Sequence, residues 1–192
     1  MDKKLVKFGN TKLPSTTAIF NMGTSKDCPS RLKGLCKCAT VCYARKPEKR
    51  FPNTVPAYRK RQAKTWLSGT AESIAAGIIQ ACGRKKVKLF RFNESGDFYS
   101  QSCVNKLSAV ASILREKGII TYGYTARKDL DFSAVSFRFK GSGYAIKGST
   151  GQTAVFKSKE DVPADYTVCS GSCKTCSICA SEDYVNIAFI QH

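Results

Sequence analysis

Histidine is almost missing from this 192-residue chain: the one present, His192, is the last residue. Zinc fingers that pair two histidines with two cysteines, and histidine-built catalytic zinc sites, therefore lack their ligands. Hydrolytic triads lack their imidazole base. Long apolar runs are missing too, since no segment approaches the roughly 18 uncharged apolar residues of a membrane span. The basic start MDKKLVKFGNTKLPS is followed by neither an apolar stretch of about seven residues nor a small-residue cleavage site, so no secretory signal is expected. Internal repeats and low-complexity linkers are also missing. Carboxylates are scarce, with 14 Asp and Glu against 32 Lys and Arg, giving a formal charge of +18.

Cysteine, by contrast, is abundant, with ten residues. Cys169, Cys173, Cys176 and Cys179 crowd into VCSGSCKTCSIC, and Cys28, Cys36, Cys38 and Cys42 form a looser group in CPSRLKGLCKCATVC. Without a secretory signal or a membrane span the expected compartment is cytoplasm, where thiols stay reduced and tight spacing reads as metal binding rather than disulfides. With histidine absent, ligation is all-thiolate, which leaves an iron–sulfur cluster or a four-cysteine zinc site. Zinc knuckles usually separate two CxxC pairs by a longer loop. The x3, x2, x2 run at 169–179 instead suits a cuboidal [4Fe-4S] cluster reached from one strip of chain. Eight cysteines could make two four-ligand centres, or one centre stapling the two ends together, and zinc stays open for either group. In the upstream group, Cys36 or Cys38 could be a spare. Cys82 lies on the apolar stripe Ala71, Ile74, Ala75, Ile78, Ile79, and Cys103 sits beside another helical seam. Both read as packed side chains.

The 42% apolar content supports one substantial core, hence a single α/β domain over residues 1–192. Its positive charge is uneven. Residues 45–64 hold Arg45, Lys46, Lys49, Arg50, Arg59, Lys60, Arg61 and Lys64 around Phe51 and Tyr58, and Arg84, Lys85, Lys86 and Lys88 follow. Such a patch attracts nucleic acid or another polyanion; its plainer role is a solvated face that keeps the protein soluble.

Periodicity predicts helices over 56–67, over 71–82 with Thr70 as N-cap, and over 102–117. It predicts strands over 87–92 and 119–124, short β-rich pieces in FRFKGSGYAI and TAVFKS, and a last strand over 185–190. Strand, helix and strand in that order predict a right-handed parallel crossover. The expected architecture is an open, mostly parallel sheet, or a partial barrel, with flanking helices and cysteine-rich loops at both ends.

Ligands of such sheets collect at the carboxyl ends of the strands. The strand over 87–92 runs into Asn93, Glu94, Ser95, Gly96 and Asp97, and the one over 119–124 runs into Thr125, Ala126, Arg127 and Lys128. Glu94 and Asp97 are the candidate acid, base or hydroxyl-binding groups, and Arg127 is the candidate anion clamp. Asn93, Ser95 and Thr125 are the candidate cofactor contacts. A tight turn at Ser95-Gly96-Asp97, with the aspartate capping the next helix, would account for part of this string on structural grounds.

The ordered motifs CP at 28–29, CATVCYA at 38–44, FRFNESGDFYS at 90–100, YGYTARKDL at 122–130 and CKTCSIC at 173–179 resemble the bacteriophage gene product 88 family of small cysteine-rich proteins. That resemblance implies a phage protein, and so the cytoplasm of a host cell. CYA after a cysteine group is also similar to the cluster-binding opening of radical S-adenosylmethionine enzymes, which are partial barrels. Those enzymes use three cysteines spaced x3 and x2. Here Cys38 and Cys42 give the x3 step, but position 45 is Arg45, while the x3, x2 spacing occurs at Cys169, Cys173 and Cys176 with Cys179 beside it. The functional expectations are an iron–sulfur redox protein with a redox partner, a zinc-folded nucleic-acid-binding module, and a radical enzyme using S-adenosylmethionine, in that order. Membrane partners are not expected, and the sequence sets no oligomeric state.

Overall fold

One face of the sheet and three long helices create the core. The computed structural model describes residues 5–83 and 85–191; Arg84 and His192 lie outside the described residues. Strand β1 (Lys7–Phe8) pairs antiparallel with β2 (Thr17–Met22), whose six residues are all buried. After short helices α1 (Pro29–Leu32) and α2 (Arg45–Arg50), helix α3 (Val55–Ser68) starts at a proline and buries Arg59, Gln62, Ala63 and Trp66, a helical stripe. Helix α4 (Ala71–Cys82) begins at Thr70, whose hydroxyl accepts the Ser73 N–H at 3.2 Å.

Strand β3 (Leu89–Gly96), helix α5 (Gln101–Glu116) and strand β4 (Ile120–Thr125) complete the expected parallel crossover. Strands β5 (Arg138–Ser142), β6 (Gln152–Phe156), β7 (Tyr166–Val168) and β8 (Asn186–Ile190) extend the sheet. The order is β1-β2-β3-β4-β5-β6-β8-β7, with every pair after β1–β2 parallel. Of the two expected architectures it is the open sheet that forms, because β1 and β7 remain its separate edges and no barrel closes.

Side chains of the three long helices share one apolar cluster with one face of the sheet. Trp66, Ile74, Ile78, Val104, Leu107 and Leu114 meet Phe20, Phe90, Phe92 and Phe139. Trp66 and Phe92 have ring centroids 4.6 Å apart, and Phe20 stacks on Phe92 at 5.8 Å. Cys82 and Cys103 are buried within this cluster, as packed side chains. The opposite face is covered differently. Alternation along β3, β4 and β5 places Arg91, Tyr122, Tyr124, Arg138 and Lys140 there, and the segment carrying the downstream cysteines packs on it through the 3-10 turn Ile178–Ala180.

Candidate functional site

Two cysteine groups meet the sheet at different places. The upstream one lies over the carboxyl ends of the parallel strands, where the sequence places a site. Ser30 donates its hydroxyl to Asp97 at the end of β3, and Tyr43 donates to the Glu94 carbonyl at 2.5 Å. Lys33 pairs with Asp129 beyond β4 at 3.1 Å, and Lys37 sits 4.4 Å over the Tyr144 ring beyond β5. The loop holding Cys28, Cys36, Cys38 and Cys42 is thus pinned to three successive strand ends. Its last residue before α2 is pinned as well: Arg59 on α3 donates to the Ala44 carbonyl at 2.9 Å and pairs with Glu48 at 2.5 Å. Arg59, counted with the basic surface in sequence, is therefore a buried structural cation.

All ten cysteines are free thiols. Cys36 and Cys38 bring their sulfurs to 3.5 Å. The pairing with Cys36 pushes the Cys38 thiol down to about 6 and pushes Cys36 up. Burial pushes Cys28 up to about 11, with the nearby Asp97 charge adding to it, and burial likewise raises Cys42. Within the group Cys28 acts electrostatically on Cys36, Cys42 on Cys28, and Cys38 on Cys42.

The downstream group lies on the face of the sheet. Cys169 N–H donates to Ala188 on β8 at 2.9 Å and Cys173 N–H to Lys12 at 3.0 Å. Cys169, Cys173, Cys176 and Cys179 line one cavity of about 80 Å³ together with Leu13, Tyr122 and Ile187. Cys173 feels Cys169 and Cys176, and Cys179 feels Cys173 and Cys169; burial raises Cys173 and Cys179, with the neighbouring Tyr124 opposing it at Cys179.

The donor chemistry of each group fits a thiophilic metal centre: four reduced sulfurs, gathered on neighbouring chain, none spent in a disulfide. As placed, the thiols are grouped without converging. Among the described residues, no three His, Cys, Asp or Glu side chains come together closely enough to hold one metal ion.

The strand-end residues divide by what they bond. Asp97 is buried and accepts from Ser30, from Thr125 at 2.7 Å, and from the N–H groups of Phe98 at 2.8 Å and Ala126 at 2.9 Å; burial raises its carboxyl against these hydrogen bonds. Thr125 is committed to that network and accepts the Arg127 N–H at 3.0 Å. The Arg127 guanidinium is turned inward, forked onto Asp129 at 2.7 and 3.0 Å and donating to the Phe98 carbonyl. Glu94 accepts from Asn10 at 2.7 Å.

Asn93 and Ser95 differ from all of these. Phe20 lies opposite Phe92 and Met22 opposite Gly96, so Asn93, Glu94 and Ser95 bulge from the ladder with only Asn21 across from them. Asn93 has φ +64°, the one positive φ outside glycine among the described residues. Both ends of its amide, the Ser95 hydroxyl and the Asn21 oxygen are buried without a partner. Uncommitted polar atoms on strained backbone beside a cysteine loop are the arrangement expected of a ligand contact.

Sequence reasoning missed Ser30, Tyr43, Arg91, Tyr122, Tyr124 and Lys140 as parts of these two places. The available signal was alternation: FRF, TYGY and RFK put aromatic side chains or glycine on the helix face and the cations and tyrosines on the other.

Residues 2–141 match the family model described as gene product 88, a span that takes in the upstream cysteines and both strand ends and stops before the downstream cysteines. No curated protein and no solved structure matches the chain.

Proposed function

The chain belongs to the phage gene product 88 family, and we propose that it is an iron–sulfur protein with two thiolate centres, one per cysteine group, working in electron transfer. One observation carries this reading: eight half-buried free cysteines sort into two sets of four, one over the carboxyl edge of the sheet and one on its helix-free face. Cys28, Cys36, Cys38 and Cys42 would hold the edge centre and Cys169, Cys173, Cys176 and Cys179 the face centre. An iron–sulfur cluster supplies a one-electron couple.

The protein's own part is to bind and shield. A bound centre would require the grouped sulfurs to close on it and would release protons from the thiols that burial keeps protonated, so loading would stabilise the fold. The bulge at Asn93 and Ser95 beside the edge centre offers an amide and a hydroxyl to whatever molecule approaches. With four thiolates in each set, no iron is left for S-adenosylmethionine, which supports electron transfer over radical chemistry.

The test is anaerobic purification with iron, sulfide and zinc analysis and electron paramagnetic resonance before and after reduction. Brown protein with matched iron and sulfide is expected, Cys38→Ser and Cys176→Ser each lowering the iron by about half as one of two centres is lost. Colourless protein carrying zinc would replace this reading by a structural one. Added S-adenosylmethionine is expected to remain uncleaved by the reduced protein.

A second reading, nucleic-acid binding, is favoured by the surface of α2 and α3. Lys49, Arg50, Lys60, Arg61 and Lys64 are exposed there, with Phe51 49% exposed under Arg50, Lys60 pairing with Asp27 at 3.9 Å and Glu48 of α2 committed to the buried Arg59. Binding of single- or double-stranded DNA should weaken steeply with salt if several phosphates are neutralised.

A further inference from the structure

Cations crowd the surface of α2 and α3 with almost nothing to neutralise them. Residues 28–71 hold eleven Lys and Arg against a single carboxylate, Glu48. That carboxylate is turned inward: it accepts from the Ser25 N–H at 2.9 Å and hydroxyl at 2.5 Å, and pairs with the buried Arg59 at 2.5 Å. The same ion pair ties α2 to α3, so the two helices and the turn over 51–54 between them are held as one surface.

Helical spacing decides which side chains face out. Along α3 the buried stripe is Arg59, Gln62, Ala63 and Trp66, while Lys60, Arg61 and Lys64 fall on the exposed side. On α2 Glu48 faces α3, and Lys49 and Arg50 after it are exposed, as is every residue of the turn. Among the described residues, Lys49, Arg50, Arg61 and Lys64 make no ion pair, and Lys60 has Asp27 alone, at 3.9 Å.

Aromatic rings are set among these charges. Phe51, in the turn, is 49% exposed with the Arg50 guanidinium 5.4 Å over its ring, and Arg61 lies 5.9 Å over the Tyr58 ring. A face that serves solubility needs charge alone, and a phenyl ring left in water within it gives up the burial that a covering partner would supply. Duplex DNA offers phosphates to such a face but keeps its base planes stacked inside. A single strand offers both, and ring and guanidinium planes are what its unpaired bases stack on.

We propose that α2, the 51–54 turn and α3 form a docking surface for single-stranded nucleic acid, its backbone lying on Lys49, Arg50, Lys60, Arg61 and Lys64 and a base stacking on Phe51. The inference rests on the nucleic-acid reading above and names the form of the ligand. Charge and stacking then contribute separably: the cations set the salt dependence, and the ring adds affinity that salt does not touch.

The experiment is fluorescence anisotropy of the full chain with a labelled dT oligonucleotide of about 16 nucleotides, with the dT·dA duplex of the same length, and with vesicles containing phosphatidylserine, each across a salt series. The single strand should bind at least about fivefold more tightly than the duplex, and Phe51→Leu should weaken it by at least about fivefold with an unchanged salt slope. Arg61→Gln and Lys64→Gln should each flatten the slope by about 0.7. Phe51→Trp should restore the affinity, its exposed indole being quenched by the single strand and not by the duplex. Equal binding of both forms, or Phe51→Leu without effect, would overturn this inference and leave the nucleic-acid reading standing. Binding of neither form at about 50 mM salt, or of the vesicles alone, would overturn that reading and this inference with it.

Discussion

Ser30, on the upstream cysteine loop, donates its hydroxyl to the buried carboxylate of Asp97, which also accepts from Thr125 at 2.7 Å and from the Ala126 N–H at 2.9 Å. One side chain thereby joins the cysteine loop, the end of β3 and the end of β4. Removing it strands several buried donors at once, each with its own desolvation cost. Asp97→Ala should therefore lose about 3–5 kcal/mol, read as a lower urea midpoint with an unchanged slope. Asp97→Asn keeps the shape and one acceptor and should lose about half as much. A loss within about 0.5 kcal/mol for Asp97→Ala would make the network incidental.

Glu48 and Arg59 give the fold a dependence on acid. Burial opposes the Glu48 charge, but hydrogen bonds from the Ser25 hydroxyl and N–H, together with Arg59, outweigh it, and the carboxyl is held below the usual range. A depressed native value means stability that is present above the unfolded carboxylate value of about 4.3 and is lost as pH falls through the native one. Glu48→Gln should be destabilised by about 2 kcal/mol at pH 7. The gap to wild type should narrow as pH falls below about 4, measured by urea titration at both pH values. A gap that widens in acid would reverse the sign and remove the argument.

Cys38 should be the fast thiol of metal-free protein. The pairing with Cys36 pushes it down to about 6, whereas Cys28, Cys42, Cys173 and Cys179 are pushed up by burial. At pH 7 iodoacetamide should label Cys38 at least about tenfold faster than Cys82 or Cys103 in the core, and Cys36→Ala should erase that lead. Loading the protein with metal should protect Cys38. Peptide mapping by mass spectrometry reads all of these, and uniform labelling would show that the Cys36–Cys38 pair does not persist.

Which parts of this were legible beforehand follows from the range of the interactions. Helix α4 was readable to its ends because Thr70 and the stripe from Ala71 to Cys82 are local signals. The crossover from β3 to β4 followed from periodicity in the same way. Strand β2 was invisible: TAIFNM is buried on both faces and so lacks alternation, and its neighbour β3 is supplied by residues some seventy positions away. Cysteine spacing separated two groups, but only the fold places one over the strand ends and the other on the sheet face. Arg59 read as a surface cation because charge suggests exposure and nothing local announces Glu48, and Arg127 read as an anion clamp although its guanidinium turns inward onto Asp129.

The bulge in β3 holds two residues with opposite expected responses. Gly96 has φ +80°, and a Cβ there would run into the Met22 carbonyl of the neighbouring strand. Gly96→Ala adds backbone strain and a clash that rigid ladder atoms cannot relieve, so about 2–4 kcal/mol should be lost. Asn93 also has positive φ, but its buried amide bonds nothing among the described residues. Asn93→Gly relieves the strained backbone and removes two unpartnered polar atoms, against a rise in unfolded-chain entropy of roughly 0.5–1 kcal/mol. Its stability should be unchanged or raised by about 1 kcal/mol. Strained backbone and unpaired polar groups of this kind cluster at ligand clamps and active sites. A loss above about 1 kcal/mol in Asn93→Gly would instead make the amide a structural group and remove the bulge from the candidate site.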